Sequence, residues 1–284
     1  MHLQGCFFIA IIKTAEYMGD EFMIKVIFVG DIYGNPGRKV FETIMPRLKN
    51  ELSPDFCIAN VENAASGRGV TLLVLTDLFK AGVDFATTGN HVWSNNSIFN
   101  FVEDETRMVI PANLFYGVPG HRFGIVEKNG KKLGVINLLG NVYMTPSNCP
   151  FRTADEMLEE VRKITKCSII DFHAEATSEK VALGWYVDGR ASAVIGTHTH
   201  VQTADERILP CGTAFISDAG MTGPIDGVIG TDKDIVIKRF LYNYPIRMEC
   251  ARGRAQFNGV YLELDEETGT CTKIARLSEL FEKV

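Results

Sequence analysis

The residues able to hold a metal or move a proton fall in short clusters: Asp31, Glu62-Asn63, Asn90-His91, His173 and His198-Thr199-His200. Of the six histidines, only His2 and His121 lie outside them. Imidazole, carboxylate and amide donors without a thiolate form the kind of set that carries transition ions in hydrolases. His198 and His200 are two apart, so on extended backbone they would point to the same side and reach two neighbouring ions. Asn90 and His91 are adjacent and project differently, so one can hold metal while the other faces substrate. Taken singly these residues are weak signals, since Asp31 could simply cap a helix opening at Pro36. Together they sit at or just beyond the ends of successive apolar runs, which five unrelated caps do not explain.

Those runs alternate with amphipathic stretches, the pattern of an α/β fold with ligands bound at the carboxyl ends of strands. Strands are expected at 24–29, 55–60, 83–88, 108–112, 122–127, 133–138, 168–172, 191–195 and 214–217. Asn129-Gly130 marks a hairpin, and 260–264 with 271–275 form a second one. Helices are expected at 36–52, although Pro46 interrupts its interior, and at 70–80, 95–102 and 232–242, with another from 178. Thr153 and Glu156 have capping-box spacing and would open a helix to 165. No repeat, low-complexity tract or linker divides the chain, which favours one domain over residues 23–284. Residues 1–22, ahead of Met23, read as an extension or alternative-start segment.

The chain has 284 residues, 46% of them hydrophobic and 23% charged, which is ordinary globular composition and excludes disorder. Its formal charge of −6 argues against general affinity for nucleic acid or anionic lipid, so an anionic substrate needs a local positive site. The seven cysteines are an odd set without a C-x-x-C pair, so neither a disulfide framework nor a zinc knuckle is expected, and a cytoplasmic protein is. The apolar run 6–12 is too short to span a bilayer. It also lacks a preceding basic residue and a following cleavage site, so no signal peptide or membrane association is expected.

Gly89-Asn90-His91, the later His173 and Gly196-Thr197-His198-Thr199-His200 resemble, in order, the G-N-H, H and G-x-H-x-H blocks of the calcineurin-like metallophosphoesterases. Gly30-Asp31-Ile32-Tyr33-Gly34, Val61-Glu62-Asn63-Ala64-Ala65, Asp171-Phe172-His173-Ala174-Glu175 and the Val201 that follows His200 are similar to the YmdB-type bacterial cyclic-nucleotide phosphodiesterases within that superfamily. Most of the superfamily has D-x-H and G-D where this chain has Tyr33 and Glu62-Asn63, and the YmdB-type enzymes share both changes. The superfamily also often has an acidic residue after G-N-H; here Val92 follows, so the sequence names no partner to orient His91.

The resemblance spans residues 24–277 and implies a four-layer αββα sandwich, two β-sheets flanked by helices. It further implies two ions per chain, iron or manganese, one held by Asp31, Glu62, Asn63 and His200, the other by Glu62, Asn90, His173 and His198, with Glu62 bridging. A hydroxide between the ions would attack a 2′,3′-cyclic or 3′,5′-cyclic nucleotide, and His91 would protonate the leaving oxygen. Two divalent ions outweigh Asp31, Glu62 and that hydroxide, which supplies the positive site an anionic substrate needs.

Arg68, between Gly67 and Gly69, could contact phosphate, and Tyr33 or Trp93 could stack on a base. Asp171 and Glu175 flank His173 and could orient it, while Asp218 could line a pocket or support the ligands. The alternatives are a phosphomonoesterase or nucleotidase, and a non-catalytic regulatory protein that keeps the metals for structure. The implied partners are a cyclic nucleotide and, as an option, a second copy of the chain.

Overall fold

Alternate residues of the first strand are buried in two different cores. Ile27 and Val29 face one and Ile24, Val26 and Phe28 face the other, so the strand must lie in a sheet covered on both sides. The computed structural model describes residues 22–282; the proposed extension lies almost wholly outside them. In chain order the elements are β1 Met23–Val29, β2 Asp31–Ile32, α1 Gly34–Leu52, β3 Phe56–Asn60, α2 Leu72–Ala81, β4 Phe85–Thr87, β5 Phe123–Lys128, β6 Lys131–Leu139 and α3 Pro150–Arg162. They continue with β7 Ser168–His173, α4 Thr177–Tyr186, β8 Ala193–Thr197, β9 Arg207–Ile208, β10 Ala214–Ile216, β11 Met221–Pro224, α5 Lys233–Tyr242, β12 Ala255–Asp265 and β13 Cys271–Phe281.

One sheet runs β2-β11-β12-β1-β3-β4 with β13 on the free side of β12; the other runs β5-β6-β7-β8-β10-β9. Helices α1 and α2 pack on the outer face of the first sheet through Val40, Phe41, Ile44, Leu75 and Leu78. Helix α3 covers the outer face of the second, through Met157, Leu158 and Val161 against Ile136, Leu138 and Phe172. Between the sheets Phe28, Ile58 and Phe85 meet Val135, Ile169 and Ile195. The layers are therefore helix, sheet, sheet, helix, as the resemblance implies. Strands β1, β3 and β4 run parallel in one sheet, and β6, β7 and β8 run parallel in the other, so their carboxyl ends collect the candidate residues.

Three local expectations change, and a fourth, the helix over 36–52, holds despite Pro46. Helix α3 begins at Pro150 rather than Thr153, because proline at the first turn needs no N–H partner, and Thr153 lies inside the helix without capping it. Residues 108–112 are not a strand: only Met108 bridges to Ala86, and the segment is buried without a ladder of its own. The short helix at 95–102 is a 3₁₀ turn over Asn96–Asn100. Helix α1 continues through Pro46, which is exposed, so the carbonyl that loses its hydrogen bond faces water. Among the described residues no helix is long and apolar enough to cross a membrane. The six described cysteines are all free.

Candidate metal centre

Glu62, His173 and His198 offer ligand atoms that all lie within 4.8 Å of one another. His173 Nε2 is the hub: it stands 3.2 Å from Glu62 Oε1, 2.9 Å from Asn90 Oδ1 and 3.0 Å from His198 Nδ1. Asn63 Nδ2 donates to Glu62 Oε1 at 2.9 Å and lies 3.3 Å from His200 Nε2. Asp31 Oδ2 accepts the His198 backbone N–H at 3.1 Å, while its buried Oδ1 finds no donor. The chain thus brings the seven residues expected as ligands into one network at the carboxyl edge of both sheets.

What each imidazole offers is decided by its outward nitrogen. Thr197 donates its hydroxyl to Asp171 at 2.6 Å, so its oxygen accepts from His173 Nδ1 at 2.9 Å and Nε2 is the nitrogen turned inward. His200 Nδ1 donates to the Ile229 carbonyl at 2.9 Å, leaving Nε2 toward Asn63. His198 Nε2 faces Glu175 Oε2 at 3.2 Å and turns Nδ1 to the hub. Asp171 therefore orients His173 through a hydroxyl, whereas Glu175 serves His198 instead. Thr197 and Ile229 carry no signal in the sequence, because an ordinary threonine and a backbone carbonyl acquire these roles only by position.

Three inward imidazole nitrogens and two buried carboxylates, one with an orphan oxygen, make a set that calls for cations; His173 Nε2, beside the Asn90 and Glu62 oxygens, carries a proton where a cation would sit. Burial alone would raise the Glu62 carboxyl, yet His173 and His91 hold it well below the usual carboxylate range. Burial would lower His173, but the charges of Glu62 and Asp31 lift it to about 9. Burial and the adjacent His173 push His198 down to about 3. Burial also raises Asp31, against the pull of His200 and His173, and a bound cation would reverse that direction. The donors and the orphan oxygen fit the metal ions that the resemblance implies.

His198 and His200 do not lie on extended backbone. Their φ values are 99° and 69°, a strained region for residues with a Cβ, and the loop holds them there. Between them, Thr199 donates its N–H and hydroxyl to Asp218 Oδ2 at 3.0 and 2.7 Å, and Lys180 Nζ donates to the same oxygen at 2.8 Å. Lys180 and Asp218 have side-chain exposures of 2% and 1%, so Asp218 supports the ligand loop. Lys180→Met is expected to strand a buried carboxylate and lower unfolding free energy by about 3–5 kcal/mol, read as an earlier urea midpoint. An unmoved midpoint would show that the pair does not brace the loop.

Gly89 is required by the same crowding: a Cβ there would stand 2.2 Å from Glu62 Oε2 and 2.6 Å from His173 Nε2.

A cavity of about 220 Å³ opens over this cluster, walled by Glu62, His91, Glu175, His198, Thr199, His200 and Ile229. His91 lies beside Asn90 yet turns Nδ1 toward Asn63 Oδ1 at 3.0 Å and Glu62 Oε1 at 3.3 Å. Its backbone N–H donates to Glu62 Oε2 at 3.0 Å. Asn63 and Glu62 are therefore the partners that orient it. Tyr33 is 7% exposed; its hydroxyl bonds Thr231 at 2.8 Å and its ring meets His200 edge-on at 5.7 Å, so it packs behind a ligand and offers no open face to a base. Trp93 stacks on Phe99 at 5.2 Å. Arg68 is exposed and has no ion pair among the described residues.

A model of the YmdB-like protein family matches residues 27–277. A 2′,3′-cyclic-nucleotide 2′-phosphodiesterase of Bacillus subtilis (strain 168) is 50% identical over 254 residues, 89% of this chain and 96% of that protein. The crystal structure of a phosphatase from Mycoplasma pneumoniae superposes with a TM-score of 0.86 at 35% identity, over 92% of this chain and 95% of that one. A protein from Thermus thermophilus gives 0.85 at 38% identity, over 91% and 100%. The fold is that of the calcineurin-like metallophosphoesterases, a fold that implies metal ions, and with residues 27–277 matched the chain belongs to the YmdB-like protein family.

Proposed function

We propose that this chain is a metal-dependent phosphodiesterase that opens cyclic nucleotides, 2′,3′-cyclic ones foremost, at a centre of two iron or manganese ions. The observation that carries this reading is the set of three imidazoles, each locked by an outer acceptor so that its free nitrogen meets the Glu62 and Asn63 cluster. The name of the Bacillus subtilis relative supports the substrate class. One ion is assigned to Asp31, Glu62, Asn63 and His200, the other to Glu62, Asn90, His173 and His198. When bound, such a pair lowers the pKa of a shared water and polarises the phosphoryl oxygens.

The chain's own residues supply the rest. Asn63 can ligate only through its oxygen, and a half-turn of its amide exchanges Oδ1 with the Nδ2 now beside His200. Whichever way that amide turns, Glu62 Oε1 stays 3.3 Å from His91 Nδ1 and can accept its N–H. A His91 ring protonated on both nitrogens could then give its Nε2 proton to a departing ribose oxygen and be left as the neutral imidazole. Thr199 and Ile229 help wall the cavity that would take the phosphate.

The test is a substrate panel. Metal-loaded protein is expected to show kcat/KM for 2′,3′-cyclic nucleotides at least about tenfold above that for 5′-monophosphates, a difference of ~1.4 kcal/mol in barrier. Faster turnover of 5′-monophosphates would replace this reading with a nucleotidase.

A further inference from the structure

A second cavity, about 440 Å³, adjoins the one over the histidines and shares His200 and Ile229 with it. It exists because the second sheet stops short. Val260, Leu262 and Leu264 of β12 and Ile274 of β13 point at that sheet and are covered by it. Further along the same face, by the two-residue period of a strand, Gln256, Asn258, Arg276 and Ser278 line the cavity instead. Such a volume lies in the range that holds a nucleoside.

The chemistry of that wall is lopsided. Gln202 Nε2 donates to the carbonyls of Ala219, Gly259 and Leu277 at 3.2, 2.9 and 3.2 Å. Gln256 Nε2 and Asn258 Nδ2 donate to the Met221 carbonyl at 3.3 and 3.2 Å. A backbone carbonyl only accepts, so each amide must give its NH₂ to the protein and keep its oxygen for something else. Asn258 Oδ1 has no donor but is itself closed off from the cavity, so the acceptors within reach are those of the half-buried Gln202 and Gln256. No donor among the described residues bonds the side-chain oxygens of Gln202 or Gln256 either. Arg276, which also lines the cavity, gives its Nε–H to Glu206 at 2.8 Å, so the two glutamine oxygens are left to accept from a ligand's N–H groups.

We infer that this cavity holds the base of the nucleotide, and that its amide acceptors favour bases with an exocyclic amine (adenine, cytosine and guanine) over uracil. The inference rests on the proposed phosphodiesterase reading for what lies next door, since His200 and Ile229 join the base site to the phosphate site. It makes Gln256 and Gln202 specificity-determining residues outside the candidate ligand set.

Nucleosides without phosphate separate this inference from the activity. Titration calorimetry on the metal-loaded full chain should give adenosine and cytidine at least about tenfold tighter than uridine, as one buried hydrogen bond permits. Gln256→Leu keeps the volume and removes the acceptor, and should bring adenosine to the level of uridine. In the wild-type chain, 8-azidoadenosine should crosslink to peptides holding residues 200–202, 221–230 or 256–278, a readout that does not depend on the variant folding. Equal binding of adenosine and uridine, no binding of any nucleoside, or labelling confined to other peptides would overturn the inference. Adenosine bound and labelled here by a chain that opens no cyclic nucleotide would support the base site and overturn the proposed activity.

Discussion

Glu62→Ala is expected to lose most bound metal and at least about 10³-fold in kcat/KM, since the ions supply several kcal/mol of charge stabilisation in the transition state. Glu62 is 1% exposed and accepts from Asn63 Nδ2 at 2.9 Å and the His91 N–H at 3.0 Å, while His173 Nε2 lies 3.2 Å away. It is the carboxylate common to both proposed ligand sets. Without it Asp31 is the one carboxylate left among the proposed ligands, and neither set is complete. Elemental analysis after dialysis should read near two equivalents in the wild type and below one in the variant. A far-ultraviolet spectrum unchanged between them would show that the loss is local. Full metal content in the variant, or a wild-type stoichiometry of zero or one under saturating metal, would sink the two-ion assignment.

His91→Ala should act differently. Its ring is held by Asn63 and Glu62 through Nδ1, and it borders the cavity with its other nitrogen free among the described residues. As the proton donor it should matter in proportion to how badly the leaving group needs a proton. The variant is expected to keep both metals and lose about 10²- to 10⁴-fold on 2′,3′-cyclic nucleotides, whose leaving group is an alkoxide-like ribose oxygen. The loss on bis-p-nitrophenyl phosphate should be much smaller, because p-nitrophenolate departs without help. Equal losses on both substrates would make His91 a phosphate-positioning residue. Loss of metal would make it a ligand or the support of one, which its 3.3 Å approach to Glu62 Oε1 makes a real contrast.

The polar residues expected to converge were legible because each sits at or just beyond the end of an apolar run and the chain alternates strand with helix. Parallel connection then forces all those ends to one edge. Gly30, Gly89 and Gly196 belonged to the same local signal, since a Cβ at any of them would collide with backbone or with the cluster itself. The short strands Asp31–Ile32, Arg207–Ile208 and Met221–Pro224 were not legible. Two to four residues hold no period, and they pair only because longer neighbours present an edge.

By itself, then, the sequence determined the α/β class and the donor types, which follow from hydrophobic period and from residues at strand ends, while the layer order came with the family resemblance. Tertiary structure alone decided which atom each donor presents. His173 shows its Nε2 because Thr197 and Asp171 meet behind it, and His91 is turned by an asparagine 28 residues away. His198 and His200 reach the cluster from left-handed backbone, with Thr199 tied to an Asp218 that is neutralised by Lys180, 38 residues upstream of it. The physical reason is that a tautomer, an amide orientation and a strained φ are set by hydrogen bonds between segments distant in the chain. Hydrophobic periodicity is a property of neighbours and carries no record of them.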